Sequence, residues 1–296
     1  MSLQLCDRLY WPGGLTRALT LSYDDGVRQD IRLTEMMNRY SVKGTFNINS
    51  GLLGRKNILS GFRPEEPEIE HFKLDAASLP SVYAGHEVAA HGQYHSSVCG
   101  MDSLRVTEEV LSCRKSLEQI LQRPVTGYAY AFGSYDHTTM EVLKNCGMLY
   151  SRTITSTHSF ELPARLLAWD PTCHHDDPDL FSLTDTFLSD VPHFSFYSPA
   201  KLFYIWGHAY EFDQHDNWDR MEKFLKTISG KDTVWYATNG EIAAYLQAYR
   251  SLVFTADTSF VYNPSCISVW IGGMFRQISV EAKPGRVTSL LPPVEM

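Results

Sequence analysis

Apolar and polar positions alternate along "RALTLSY", residues 17–23, and then the period changes. Alternation predicts a strand, because successive side chains of an extended chain face opposite sides. In "RQDIRLTEMMNRY", residues 28–40, Ile31, Met36, Met37 and Tyr40 recur at close to helical spacing, so a helix follows. Lys43-Gly44 and the run "TFNINS" complete a strand–helix–strand unit. Such crossovers join parallel strands, and their helices cover the sheet.

The rhythm repeats. A short strand is expected at Glu87–Ala90. Residues 102–123 place Leu104, Val110, Leu111, Leu117, Ile120 and Leu121 on an amphipathic helix, with Thr107 and Glu108 on its exposed side. "VTGYAYAF", "MLYSRT", "KLFYIW" and "VWYATN" read as strands. "DHTTMEVLKNCG", "NWDRMEKFLKTIS" and "GEIAAYLQAYRS" read as helices, the first stopped by Gly147 and the second capped by Asn217. The α/β order predicts a distorted (β/α) barrel over residues 1–252. Two stretches interrupt it: a charged, Pro-containing excursion at 54–80 with "RPEEPEIEH", and a loop-like 156–200 with five prolines, Pro163 to Pro199. From 253 to 296 the pattern is β-only, a small C-terminal appendage that packs on the barrel or serves a homo-oligomer.

With 44% hydrophobic residues the chain can bury a sizeable core. A net charge of -8 and a pI of 5.7 argue against nucleic-acid partners and anionic membrane surfaces. The six cysteines form no CxxC pair and no disulfide framework, which suits a reduced, cytoplasmic setting. "MSLQLCDRLYWPGG" lacks the basic and apolar regions of an export signal, and no apolar run reaches the ~20 residues that cross a bilayer.

Barrel enzymes carry their chemistry where strands end. In "SYDDG" two carboxylates, Asp24 and Asp25, stand at such an end; a polar turn would need only one. In "HGQYH", His91 and His95 have the spacing that sets two imidazoles on one face of a helical turn, able to grip a cation, or they are capping or core histidines. A carboxylate from another strand, Asp25, would complete a three-ligand site with open positions. Asp24 would then be free to take a proton from water. His208 ends "YIWGH". His174-His175 with Asp176-Asp177 looks like another metal cluster, but adjacent histidines on a loop seldom chelate one ion together, so it reads as a solvated loop; Glu211 and Asp213 read as substrate contacts or surface acids.

In this order, SYDDG then HGQYH, the chain resembles the polysaccharide deacetylase family, carbohydrate esterase family four, over residues 17–245. The resemblance implies a distorted barrel, often of seven strands. It implies Asp24 as catalytic base, and Asp25, His91 and His95 as holders of a divalent metal, most commonly zinc, with cobalt among the alternatives. His208 matches the acid that protonates the leaving amine. The third motif departs from the family: Ala129-Tyr130-Ala131-Phe132 stands where an Arg-x-Pro-Tyr pattern is usual, so the arginine that orients the base is missing. Asp170 in "AWDP" either holds His208 in its tautomer or is a plain loop acid. A backbone N–H near Phe132 is expected to face an oxyanion. Tyr135, Trp169, Trp206 and Tyr210 contact substrate or pack beside the strands.

The resemblance implies a metal-dependent hydrolase removing an N-acetyl group from an amino sugar. A small saccharide or sugar conjugate suits a chain without an export signal, with 54–80 and 156–200 narrowing the groove as a lid. The alternatives are an amidohydrolase acting on a non-sugar amide, a vestigial saccharide-binding protein, and a structural role through the appendage.

Overall fold

Every position of the strand Arg17–Asp24 is buried, as expected of a central parallel strand covered on both faces. The computed structural model describes residues 8–60, 67–189, 200–272 and 279–290. Cys6, Arg63 to Glu66 of the acidic excursion, Pro192 and Pro199 lie outside them, as do residues 273–278 and 291–296 of the expected appendage.

The strand Lys201–His208 runs parallel beside Arg17–Asp24 along its length and sets His208 opposite Asp24. On the other side Thr45–Ile48 pairs Asn47 with Asp24, and Val234–Tyr236 pairs with the start of the central strand. Outward from Thr45–Ile48 follow Glu87–Ala90, Gly127–Ala129 and Tyr150–Arg152, all parallel. Cys173–His174 lies on the far side of Lys201–His208. Seven strands form this path, as expected, and Val234–Tyr236 adds an eighth. The run from Trp169 to His174 ties the edges together. Trp169 donates its N–H to the Ser151 carbonyl at 2.9 Å, and Thr172 donates to the Tyr204 carbonyl at 2.7 Å. The sheet therefore curls into a distorted barrel.

Helices follow the strands where their caps allow. Asp102 accepts from the N–H groups of Leu104 and Arg105 and starts the helix Ser103–Leu121. Thr238 and Glu241 form a reciprocal capping box on Asn239–Arg250. Asn217 does not cap Trp218–Ile228; its side chain donates instead to Asp176 Oδ1 at 2.7 Å. Inward faces of these helices, with Val110, Leu117, Phe224 and Leu225, share one core with Phe46 and Ile205 of the strands. Among the described residues no helix is long and apolar enough to cross a membrane.

Both excursions contain more structure than their composition suggests. The first holds an antiparallel hairpin of Lys56–Leu59 and Ile69–Phe72. The second holds a helix, Leu180–Leu188, whose Leu180, Thr184 and Phe187 are buried. Past the barrel, Phe260–Tyr262 pairs with Val253–Phe254 and Val287–Ser289. A second small sheet joins Val269–Gly272 to Val280–Ala282 and to Arg8–Tyr10, so it draws on both ends of the chain.

Candidate active site

The central strand ends at Asp24, and the chain turns through Asp25 at φ 85° and Gly26 at φ 63°. Only glycine fits the second position: its conformation is left-handed, and a Cβ there would lie 2.8 Å from Ile48 Cδ1. This turn sends the two carboxylates apart. Asp24 Oδ1 accepts from Asn47 Nδ2 at 2.8 Å. Its Oδ2 accepts from Arg152 Nη2 and lies 3.7 Å from His91 Nε2 and 3.9 Å from His208 Nε2. Asp25 faces another set. His71 Nε2 is 3.2 Å from its Oδ2, and Lys73 Nζ is 3.0 Å and His95 Nε2 3.9 Å from its Oδ1.

Asp25, His91 and His95 each offer one ligand atom, and these atoms lie within 4.8 Å of one another. His91 is 1% exposed, and its Nδ1 is 2.8 Å from the Ala129 carbonyl. A carbonyl can only accept, so the proton sits on Nδ1 and Nε2 carries a lone pair. That Nε2 is buried and has no hydrogen-bond partner. Burial, with His91 next to it, holds the His95 pKa down to about 4, and burial lowers that of His91. Burial would raise Asp25, but the Lys73 charge and the His71 hydrogen bond outweigh it and hold the carboxyl well below its usual range. One ionised carboxylate and two neutral imidazoles, one with its far nitrogen tied to a carbonyl, fit a divalent cation.

The two histidines do not share a helical turn, contrary to expectation. The segment after Ala90 is a loop in which Gly92 and His95 take φ 80° and 60°. Glu109 holds it from below, accepting from the N–H groups of Tyr94 at 2.8 Å and Ser96 at 3.3 Å. Asp25, His95 and Phe132 are all non-glycine residues at positive φ, and such strain concentrates where geometry matters more than comfort.

On the opposite side of Asp24, His208 meets Glu211. The carboxylate Oε1 is 3.2 Å from His208 Nδ1, and Oε2 accepts the His208 backbone N–H at 2.9 Å. His174 Nε2 approaches Oε2 at 3.1 Å. The Asp176 N–H donates to His174 Nδ1 at 3.2 Å, so the His174 proton sits on Nε2 and points at Glu211. Burial would lower the His208 pKa, but the Glu211 charge and hydrogen bond, with Asp24 and Asp25 behind them, raise it to about 9. His175 is 1% exposed and stacks on Phe212 at 4.2 Å, so the solvated-loop reading of this segment is wrong for it. The strand opposite leaves space for that ring: a Cβ on Gly207 would lie 1.9 Å from His175 Nδ1.

An arginine does reach Asp24. Arg152 pairs with Ala129 across neighbouring strands, is fully buried, and stacks 4.6 Å over the Trp206 ring while it donates to Asp24. The guanidinium comes from the strand Tyr150–Arg152, beside Gly127–Ala129 where the resemblance leads one to expect it. With His91 and His208 it outweighs the burial of Asp24 and leaves that carboxyl's pKa lowered. Asp170 does not serve His208; it is exposed and accepts from Thr153 Oγ1. Trp169 is 1% exposed, packed between Tyr150 and Tyr204, so it is a core residue and not a substrate platform. Tyr135 stacks on Tyr130 at 4.8 Å. Trp206 stays at the site beneath Arg152, and Tyr210 packs 5.1 Å from the His208 ring. Phe132, 65% exposed, sets its ring against His95 at 4.6 Å. Three contributors, Arg152, His71 and Lys73, are not singled out by the sequence, and Glu211 is read there only as a substrate contact or a surface acid. Arg152 was a lone charge closing an apolar strand. Glu211 follows His208 by three residues, and His71 and Lys73 alternate with Ile69 in the excursion.

Residues 14–151 match the family model for polysaccharide deacetylase, a span holding both the SYDDG and HGQYH segments. Over that stretch, just under half of the chain, the sequence is similar to the polysaccharide deacetylase family. Among solved structures it is similar to a candidate polysaccharide deacetylase from Pseudomonas aeruginosa PAO1. The two share 17% identity at a TM-score of 0.60, over 81% of this chain and 93% of that one. A candidate polysaccharide deacetylase from Mycobacterium smegmatis gives 18% identity and a TM-score of 0.55, over 82% and 94%. At such identities the likeness concerns the fold. The Streptococcus pyogenes deacetylase PplD, in complex with acetate, is 16% identical with a TM-score of 0.41, and the match spans 50% of this chain and 61% of that one. No curated protein matches the sequence.

Proposed function

We propose that this deacetylase-type barrel is a metal-dependent hydrolase that removes the N-acetyl group of an amino sugar. The convergence of Asp25, His91 and His95, with the bare His91 Nε2 turned toward the site, carries this reading. These three residues would hold a divalent cation, which when bound supplies Lewis acidity toward an amide carbonyl and toward water.

The chain's own groups supply the rest. Asp24 is ionised and takes the proton of the attacking water; Asn47 and Arg152 keep its carboxylate in place and in its charged form. His208 stands on the far side of Asp24, protonated at neutral pH, and gives its Nε2 proton to the departing amine. Glu211 holds the other ring nitrogen, which fixes the ring's direction. The backbone N–H near Phe132 stabilises the developing oxyanion. Deep burial of Asp24 and His91 favours an end group as small as an acetamide, carried on a small saccharide or sugar conjugate.

Acetate release from N-acetylated mono- and oligosaccharides by zinc-loaded protein tests the proposal. Release that is abolished by chelator and restored by zinc supports it. No release from any of these substrates at saturating zinc would refute it.

A further inference from the structure

The hairpin strand Ile69–Phe72 turns Ile69 and His71 inward and Glu70 outward, and the next inward residue is Lys73, which is 6% exposed. A buried ammonium is costly unless its protons find acceptors. Lys73 finds three: the Asp25 carbonyl at 2.8 Å, Asp25 Oδ1 at 3.0 Å and Asn49 Oδ1 at 3.5 Å. The backbone around it is tied to the catalytic turn. Arg28 donates to the Phe72 carbonyl at 2.7 Å, and Leu74 donates to the Gly26 carbonyl at 2.8 Å. The ammonium is therefore held at Asp25 by the fold and cannot leave with a swinging loop. His71 meets the other carboxylate oxygen.

A fixed positive charge on a carboxylate meant for a divalent cation is a conflict of like charges across one shared group. In a buried setting that repulsion is large, worth about tenfold or more in affinity. The same charge has a benefit. Without the cation, Asp25 would be a buried, ionised carboxylate short of a counter-ion, and Lys73 keeps it satisfied.

We propose that Lys73 is the internal counter-ion of Asp25 and competes with the divalent cation, so that the chain holds its metal exchangeably. The proposal rests on the metal reading above and deepens it. The hairpin in the first excursion is then the element that sets metal affinity.

Zinc affinity measured by competition with a chromophoric chelator tests it on the full chain. Lys73→Gln keeps an N–H donor for the Asp25 carbonyl but removes the charge, and should bind zinc at least tenfold more tightly than the unaltered chain. Lys73→Arg keeps the charge and should stay within about threefold of it. Equal or weaker binding by Lys73→Gln would overturn the proposal while leaving the metal reading intact. If none of the three chains binds zinc, both fall. Should Lys73→Gln not fold, the unaltered chain answers by NMR. The Lys73 Nζ resonance should move as zinc saturates the site, and a resonance that stays put overturns the competition.

Discussion

On one side of Asp24, His91 gives its Nδ1 proton to the Ala129 carbonyl and turns a bare nitrogen toward Asp25. On the other, His174 accepts the Asp176 N–H on Nδ1 and turns a protonated nitrogen toward Glu211. Both clusters combine imidazoles with a carboxylate, and both pass a simple proximity test for a metal. They differ in what the backbone does to the nitrogen facing away. A carbonyl behind the ring makes a ligand, while an N–H behind it makes a hydrogen-bond donor. In the function proposed above, the first cluster would hold a cation and the second a proton on His208, with Asp24 between them.

Asp24→Asn should break this arrangement most severely. Steady-state kinetics on an N-acetylated saccharide should show kcat lowered about 10²- to 10⁴-fold, with zinc content unchanged. Unchanged turnover would remove the base from the scheme. Next comes Arg152→Met, which leaves the Asp24 carboxylate buried beside a lost partner. A denaturant melt should show a loss of about 3 kcal/mol, with a fall in kcat alongside.

Glu211→Gln sharpens the comparison through pH. A carboxylate beside an imidazolium stabilises the protonated form, so removing it must lower the His208 pKa. The alkaline limb of the kcat profile should lie near pH 9 in the unaltered chain and move toward the ordinary 6.5 in the variant. At pH 8 the variant should lose about tenfold in kcat, with KM little changed. A limb that does not move would mean Glu211 plays no part in charging His208. His174→Ala removes a donor from the Glu211 carboxylate but leaves its charge, so the limb should stay near pH 9 or rise slightly rather than fall.

Much of this was legible before any coordinates. The alternation in residues 17–23 and the changes of period after it gave the parallel sheet, and the separation of Asp24 from Asp25 followed from their adjacency at a strand end. What was not legible depended on which strands become neighbours. Arg152 reaches Asp24 only because the strands Gly127–Ala129 and Tyr150–Arg152 pair in one register, and no local pattern announces that pairing. The HGQYH spacing suggested a helical turn, but Gly92 and Glu109 build a loop instead. The run of Ile69, His71 and Lys73 looked like part of a charged excursion, because alternation with charged residues facing inward is indistinguishable from a solvated strand until its covering is known. Trp169 and Asp170 adjoin in the AWDP segment, yet Trp169 is buried between Tyr150 and Tyr204 and Asp170 is exposed, which only the packing of that segment decides.

The central claim is that Asp25, His91 and His95 form the metal centre and that His174, Glu211 and His208 do not form another. Zinc per chain, measured by elemental analysis after equilibration with a modest excess of zinc and gel filtration, tests it directly. The account predicts one zinc in the unaltered protein, one in His174→Ala, and none in folded His91→Ala. Two in the unaltered protein with one lost in His174→Ala, or a full equivalent retained in His91→Ala, would contradict it.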